Sequence, residues 1–435
     1  MSEQDQITTD PTKPAQRMRA GSMTISATPW IIAAVLLIAM PYLFPSRSAL
    51  TIMNQMSITI VFALAYNMLL GQGGMLSFGH AVYMGVGGFV AVHVMNLISD
   101  TGAPFPMPFL PIVGGLFGMG LAMIVGSFST RSAGTVFAMI SLGVGELIAA
   151  CSVIIVVFFG GEEGVSGYRD EGLPFFGFDF AQQIEVYYLI AAWLMISALL
   201  MYLYSRTPIG RMANAVRDNP ERAEFLGYSA RWVRYYSFAA SGFFAGIAGG
   251  LFAINYEILT EENLNTASSG VILLVTFLGG VGFFFGPIIG AIAFTLLQTV
   301  LSLHTELWAF YAGVLFVATV MFFPGGLAGL IMMHVPVFQI GKAKQLVLPY
   351  FKTLIPGAVA VLGVSALVEM TFHYRHAATG DNEMTVFWTT FDSHAILPWV
   401  IALVVTFGAL YLTRLNAPSL REAWAEANTP DGGAA

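Results

Sequence analysis

Apolar residues run along this chain in windows of near-spanning length, separated by short stretches rich in glycine, proline or charge. Windows at about 29 to 45, 51 to 70, 79 to 98, 109 to 127, 134 to 158, 186 to 204 and 235 to 255 predict helices that cross lipid. About 20 apolar residues bridge the hydrocarbon of a bilayer. Five more windows follow at about 269 to 283, 286 to 303, 307 to 331, 354 to 372 and 395 to 412. The pair 269 to 283 with 286 to 303 is short enough to be re-entrant or broken, since irregular backbone at membrane depth survives wherever protein or water satisfies it. The expectation is an all-α polytopic membrane protein of about 10 to 12 transmembrane helices. It has three parts: a polar tail over 1–28, a transmembrane domain over 29–331, and a C-terminal extension over 332–435 with about two further spans and a polar tail.

Charge placement tests that threading. From a cytoplasmic N-terminus, one side collects Lys13, Arg17, Arg19, Arg131, Arg206, Arg211, Arg217, Arg222, Arg231, Arg234, Lys342, Lys344, Lys352, Arg414 and Arg421. Only Arg47, Arg169 and Arg375 fall on the other side, whose loops are acidic at Glu162, Glu163, Asp170, Glu171, Asp179, Glu185, Glu257, Glu261 and Glu262. The positive-inside rule then puts both termini in the cytoplasm. Lys13, Arg17 and Arg19 ahead of the apolar run Trp30 to Phe44 also fit a signal peptide, but Ser46-Arg47-Ser48 is a poor cleavage site, so a retained first helix is expected.

Composition agrees: 57% of the 435 residues are hydrophobic and 10% charged, with 46 glycines and 35 phenylalanines suited to close helix packing. Cys151, alone of its kind, excludes an intrachain disulfide and a cysteine metal site. The histidines lack metal-ligand spacing, and no nucleophile stands beside a base, so no catalytic residue, metal or cofactor is assigned. Gly341-Lys342 is followed by Ala343 without the upstream glycine of a phosphate loop. Any ATP hydrolysis must therefore occur in another subunit. No basic nucleic-acid-binding face is assigned either.

Four features carry candidate function. The first is the polar, arginine-rich insert Arg206 to Arg234 between two apolar helices. Within it Asp218 or Asn219 can cap a helix, Pro220 suits its first position, Glu221 its positive end and Gly227 a left-handed stop. A two-turn helix results, displaying Ala223, Phe225 and Leu226 among charges, either to dock a soluble partner or to lie on the lipid surface. The second is Gly71-Gln72-Gly73-Gly74-Met75-Leu76-Ser77-Phe78-Gly79-His80, where seven glycines between 71 and 88 break spanning sequence. Ser77 is the expected N-cap of the next helix, with His80 one turn inside. The helix's positive end can face a substrate carboxylate, or the segment is a turn before a packing helix.

The third feature is Glu146, near the middle of its window, where an ionised carboxylate costs about 2.5 to 3.5 kcal/mol. Gly143, Ala149 and Ala150 share its face, so it is expected to point at a closely packed neighbour, as a pathway or proton-carrying group or as an interhelical strut. Asn67 reads as an interhelical hydrogen-bonding residue. The fourth is Gly279-Gly280-Val281-Gly282 with Gly286-Pro287, a hinge or a hairpin between two short helices. It has a weak likeness to the Gly71 to Gly88 break.

Three blocks in this order resemble the membrane permease subunits of high-affinity branched-chain amino acid ABC importers. They are Ala65-Tyr66-Asn67-Met68-Leu69-Leu70-Gly71-Gln72-Gly73-Gly74 with Leu76 to Ala81; Gly210 to Asn219 with Ala223 to Gly227 and the small-residue helix Ala245 to Gly250; and Leu278 to Gly282 with Phe285 to Gly290. The resemblance runs from about residue 50 to Leu330. It implies the ABC importer permease fold and a bacterial inner-membrane location. It also implies a second related permease, two ABC ATPase subunits and a periplasmic substrate-binding protein as partners. Its coupling helix would be carried by Arg217, Asp218, Asn219, Pro220, Glu221, Arg222, Ala223, Glu224, Phe225, Leu226 and Gly227. Asn67, Ser77, His80 and Glu146 are the candidates for the substrate pathway; Gly279, Gly280, Gly282, Gly286 and Pro287 are the candidate hinge. The extension from Lys342 onward and Tyr168-Arg169-Asp170-Glu171 depart from the family's pattern, and relatives carry urea and other amino acids or amides. A rival mechanism stands beside this one, a self-sufficient secondary transporter in which Glu146 carries a proton.

Overall fold

The computed structural model describes residues 27–428, apart from 172, 173, 175, 176, 324, 377–382, 387 and 388. Lys13, Arg17 and Arg19, Pro324 near the end of the stretch that carries the resemblance, and residues 429–435 lie outside the described residues. The described chain is almost wholly helical. In order it forms α1 Thr28–Leu43, α2 Arg47–Asn67 prolonged by a π-turn Met68–Gln72, α3 Ala81–Thr101, α4 Leu110–Ser129, α5 Thr135–Ile154 and the short α6 Val156–Phe159. Then come α7 Gln183–Arg206, α8 Pro208–Asp218, α9 Pro220–Phe225 and α10 Ala230–Tyr256, followed by α11 Thr266–Gly279, α12 Gly286–Ser302, α13 Trp308–Phe322, α14 Gly326–Ile340, α15 Ala343–His376 and α16 Ile396–Asn428.

Among the described residues eight helices are long and apolar enough to cross a membrane, nine if α13 and α14 form one bent span; α1, α11 and α12 are shorter apolar helices. Each of the twelve apolar windows thus has its helical counterpart. The window 307 to 331 differs in detail, because the chain breaks after Phe322 and α14 continues to Ile340. Two small antiparallel pairs add to the expected all-helical picture. Val165–Ser166 (β1) pairs with Ile258–Leu259 (β2), and Glu383–Val386 (β3) forms a hairpin with Thr389–Asp392 (β4). Neither pair is long enough to leave a periodic signal.

The core is built around α10, whose small residues let other backbones come close. A Cβ added at Gly246 would overlap the Gly114 carbonyl of α4, and one added at Gly249 would overlap the Met84 carbonyl of α3. A Cβ at Gly87 of α3 would sit 2.7 Å from both the Gly114 oxygen and the Gly246 Cα. Close backbone approach of this kind replaces large apolar side chains as the source of packing between helices in lipid. Larger rings close the layer around it: Tyr83, Phe89, Phe137 and Phe238 are fully buried, with Phe238 set edge-on to Tyr83 and Phe137.

At one rim, Arg169 organises the connection between β1 and α10. Its Nε donates to Phe180 O (2.9 Å), Nη1 to Ile254 O (3.1 Å) and Asn255 O (3.2 Å), and Nη2 to Gln183 Oε1 (3.2 Å). The last carbonyls of α10 lack intrahelical donors, and a cation there also suits the negative end of the helix dipole. Glu257 receives the Arg169 amide at 2.9 Å and sits at φ 56°, a left-handed conformation uncommon for a residue with a side chain. The C-terminal hairpin α15–α16 is fastened to α13 and α14. Glu369 Oε1 accepts from Thr305 Oγ1 (2.6 Å) and from the Tyr311 hydroxyl (3.0 Å), while His334 Nε2 lies 2.7 Å from the Tyr350 hydroxyl and edge-on to Trp424.

Candidate functional site

The arginine-rich insert folds as two helices. Thr207 caps α8, its hydroxyl accepting from Gly210 N at 3.2 Å, with Pro208 at the first position. Asn219 then caps α9, its side chain accepting from Arg222 N at 2.9 Å. Asn219 takes the capping role for which Asp218 also stood. Gly227 ends α9 at φ 86°; its amide donates to Glu224 O (2.9 Å) and the Tyr228 amide to Ala223 O (3.1 Å), a Schellman closure. The first helix was missed in the sequence, although Thr207-Pro208 followed by apolar Ile209, Met212, Ala213 and Val216 is a start signal with helical spacing.

These helices share a small core of their own. Ala213, Val216, Ala223, Ala230 and Val233 are buried together, so the apolar face of α8 is spent inside the protein. The tip of α9 is not. Phe225 is 91% exposed, and Leu226, Tyr228 and Trp232 are exposed beside it.

Arg217, the penultimate residue of α8, reaches back into the membrane body. Its Nη1 donates to the Gly71 carbonyl, its Nε to Asp218 Oδ1 at 2.9 Å, and its aliphatic stem lies over Gly74, where a Cβ would be 3.3 Å from Arg217 Cβ. The π-turn after α2 diverts the Met75 amide to Leu69 O, so the Gly71 carbonyl at this helix end is answered by the guanidinium. Gly71 in turn touches the second glycine-rich break: a Cβ there would overlap the Val281 carbonyl and the Asn67 side chain. Asn67 Nδ2 donates to Phe283 O at 3.3 Å. Three separated sequence blocks therefore meet at one place.

Between α11 and α12 the chain turns back on itself, so that a Cβ at Gly279 would overlap the Gly286 carbonyl and one at Gly290 the Val275 carbonyl. Gly280 has φ 114°, which an L side chain resists, and Pro287 stands in the first turn of α12. This is a hairpin of two short helices. A Cβ at Gly282 meets nothing, so that glycine is not sterically required.

The Gly71 to His80 segment differs from its expectation in one respect. Ser77 does not cap α3; the helix begins at Ala81 with His80 in the flanking position, and the Ala81 amide donates to Ser269 Oγ of α11 at 2.9 Å. A neighbouring helix supplies the cap because the loop lies pinned against α5, where Phe78 N donates to Ser141 Oγ at 3.1 Å and Gly79 presses on Gly145. Ser77 and His80 are both fully buried. Ser241 Oγ donates to Ala65 O at 2.6 Å, so the contact to His80 Nε2 at 3.1 Å is donated by the imidazole. Phe62, Tyr66 and Tyr83 ring the imidazole, and the Tyr66 hydroxyl donates to Ser77 O at 2.8 Å. Asn67, Ser77 and His80 thus sit inside the bundle, fastening the break.

Glu146 is placed otherwise than expected. It is exposed, as are Gly143 and Ala150, and a Cβ at Gly143 would meet nothing within 4 Å. The buried face of α5 carries Phe137, Ala138, Ser141, Gly145 and Ser152 instead, one residue away from the face chosen by small-residue spacing. Thr266, the first residue of α11, donates its hydroxyl to the Glu146 carboxylate. Glu146 is well inside the 20-residue α5, so α11 starts level with the interior of that candidate span; at 1.5 Å per residue its 14 residues extend only about 21 Å. Along the approach to it Leu259 and Leu264 are buried against Gly88 and Gly85 of α3, while Ile258 and Glu262 are exposed. The result is a polar patch of Glu146, Thr266 and Ser268 set into an apolar surface at mid-span.

A family profile described as branched-chain amino acid transport system / permease component matches residues 48–324. The high-affinity branched-chain amino acid transport system permease protein LivM of Escherichia coli (strain K12) is 26% identical over 314 residues, 67% of this chain and 72% of that protein. The galactose/methyl galactoside import permease protein MglC of Salmonella typhimurium is 26% identical over 285 residues, 62% of this chain and 82% of that protein. The autoinducer 2 import system permease protein LsrC of Klebsiella pneumoniae is 32% identical over 118 residues, 26% of this chain and 34% of that protein. No solved structure matches.

Proposed function

This chain belongs to the branched-chain amino acid transport permease family, and on that premise we propose that it carries a branched-chain amino acid, or a similar small polar solute, from periplasm to cytoplasm across a bacterial inner membrane. The insert α8–α9 then faces the cytoplasm, with both termini, and meets the ATPase subunits that supply the energy. One observation carries the coupling role: α9 is capped at both ends, seated on a core of its own and projects Phe225 almost wholly free of its own fold. A helix lying on lipid would turn the apolar face of α8 outward, whereas here that face is buried. An exposed aromatic on a rigid support is the usual anchor of a protein interface.

The polar patch supports the route. An ionised carboxylate facing lipid at mid-span costs about 2.5 to 3.5 kcal/mol, a penalty avoided if the α5–α11 face turns toward a second permease subunit and a water-filled path between them. Glu146 there offers a negative partner to a substrate ammonium. A neutral sugar could donate a hydroxyl to it but brings no charge to match it, which favours the amino-acid relatives over the galactose permease as a guide to substrate. The periplasmic binding protein would dock on the acidic rim held by Arg169.

The test is reconstitution of the chain with its companion permease, ATPase subunits and binding protein in proteoliposomes. Uptake of labelled leucine is expected to require ATP, to resist excess galactose, and to fall about tenfold in Glu146→Gln, as expected for loss of one charge-assisted contact. Leucine uptake by the chain alone, driven by a proton gradient without ATP, would overturn the proposal. ATP-driven galactose uptake with no leucine uptake would overturn the choice of substrate.

A further inference from the structure

We propose that Arg217 is the strut through which movement of α8–α9 reaches the two glycine-rich breaks of the membrane body, a role that rests on the permease reading above. The path is continuous and built from short contacts. Ala213 and Val216 of α8 share a core with Ala223 of α9, so the two helices move together. Arg217 extends from that unit, its guanidinium on the Gly71 carbonyl and its stem against Gly74. Gly71 abuts Val281, and Asn67, one turn earlier in α2, donates to Phe283 O. Displacing α8–α9 therefore pulls on the α2 terminus and, through it, on the turn between α11 and α12. From that turn α11 runs back to Thr266, whose hydroxyl holds Glu146.

Chemistry as well as position selects this residue. The Gly71 carbonyl ends a helix and has lost its usual partner to the π-turn, so it presents a negative dipole that a cation satisfies better than a neutral donor. Asp218 holds the guanidinium from its other edge through Nε, which leaves Nη1 aimed at Gly71. Arg217 touches no candidate substrate position; it acts through the backbone it grips. Gly71 has no room for a side chain against the Val281 carbonyl, so the two turns cannot slide past each other there.

Two measurements test this, one without any partner. Hydrogen exchange in the purified chain, comparing parent with Arg217→Gln, should show amides of residues 72–79 and 281–286 exchanging about tenfold faster, as expected for loss of one charged hydrogen bond. Arg217→Lys should restore much of the protection by returning a cationic donor. Unchanged exchange in both segments would overturn the strut, whatever the transport class. The structure places Arg217 in α8 with its guanidinium on Gly71, and not on the exposed tip of α9 where the resemblance put the coupling helix. In the reconstituted complex, Arg217→Gln should therefore keep ATPase association and hydrolysis but move at least about fivefold fewer solute molecules per ATP. Asn67→Ala, at the far end of the path and remote from any ATPase, should lower the same ratio. Loss of ATPase association in Arg217→Gln would make Arg217 a docking residue and refute the relay, as would unchanged stoichiometry in both variants. Faster exchange together with a parent complex that never responds to ATP would instead refute the permease reading and leave the mechanical link standing.

Discussion

Arg169→Ala removes four side-chain hydrogen bonds at once from the rim of this molecule. The Arg169 side chain is 12% exposed and its guanidinium serves four acceptors within 3.2 Å, with the carboxylate of Glu257, a side chain 33% exposed, at 3.8 Å. Each hydrogen bond to a charged donor contributes about 1.5 to 3 kcal/mol, but the rim lies near water, which refills part of the loss. Breaking a buried charge pair costs about 3 to 5 kcal/mol, and the half-open Glu257 puts this site at the lower limit, about 3 kcal/mol. At 1.4 kcal/mol per decade that is roughly a hundredfold rise in local opening. The left-handed backbone of Glu257 adds to the tendency, since such strain persists only while its surroundings hold it. Hydrogen exchange followed by mass spectrometry reads the effect at residues 165–169 and 257–259, where β1, β2 and the Arg169 amide are tied. Arg169→Lys should fall between parent and alanine, because one ammonium cannot span the fork of acceptors. Protection unchanged in Arg169→Ala would refute the claim that this side chain closes the rim.

Two further outcomes are expected. Phe225→Ala should leave folding and membrane insertion untouched, because the ring makes so little contact within its own chain, yet weaken ATPase binding at least about tenfold in a pull-down titration, the effect of truncating an interface anchor. Ser241→Ala strips the His80 Nε2 proton of its acceptor in a site closed to water and should destabilise the detergent-solubilised protein by about 1 to 3 kcal/mol, measured by chemical denaturation.

The sequence disclosed elements whose signals are local. The cap Asn219, Pro220 and the stop at Gly227 are read within nine residues, and the twelve apolar windows each need only their own composition. The face of α5 was not legible in the same way. Gly143, Ala149 and Ala150 and the true packing set Phe137, Ser141 and Gly145 have equally good helical spacing, and which of them meets a neighbour depends on where Gly79 lies. Ser77 failed as a cap for the same reason: Ser269 is 188 positions from the amide that it receives. The π-turn at Met68–Gln72 left no pattern either, nor did the diversion of the Met75 amide to Leu69 O that leaves the Gly71 carbonyl to Arg217. Asn67 was expected to bridge helices; its amide reaches instead the backbone of the turn between α11 and α12, which no periodicity places beside it.

The naked backbone contact among α3, α4 and α10 divides the molecule into chassis and moving parts. Where side chains interdigitate, helices can ratchet through alternative rotamers; where Gly87, Gly114 and Gly246 bring main chain onto main chain, a slip of one residue would drive a carbonyl into a methylene with nothing in between to yield. These three helices must travel as one piece during any transport cycle. Outside that block α5 and the α11–α12 hairpin are held at the glycines of turns, Gly79 against Gly145 and Gly71 against Val281, so any opening and shutting of the members that join Glu146 to Thr266 must pivot at those points.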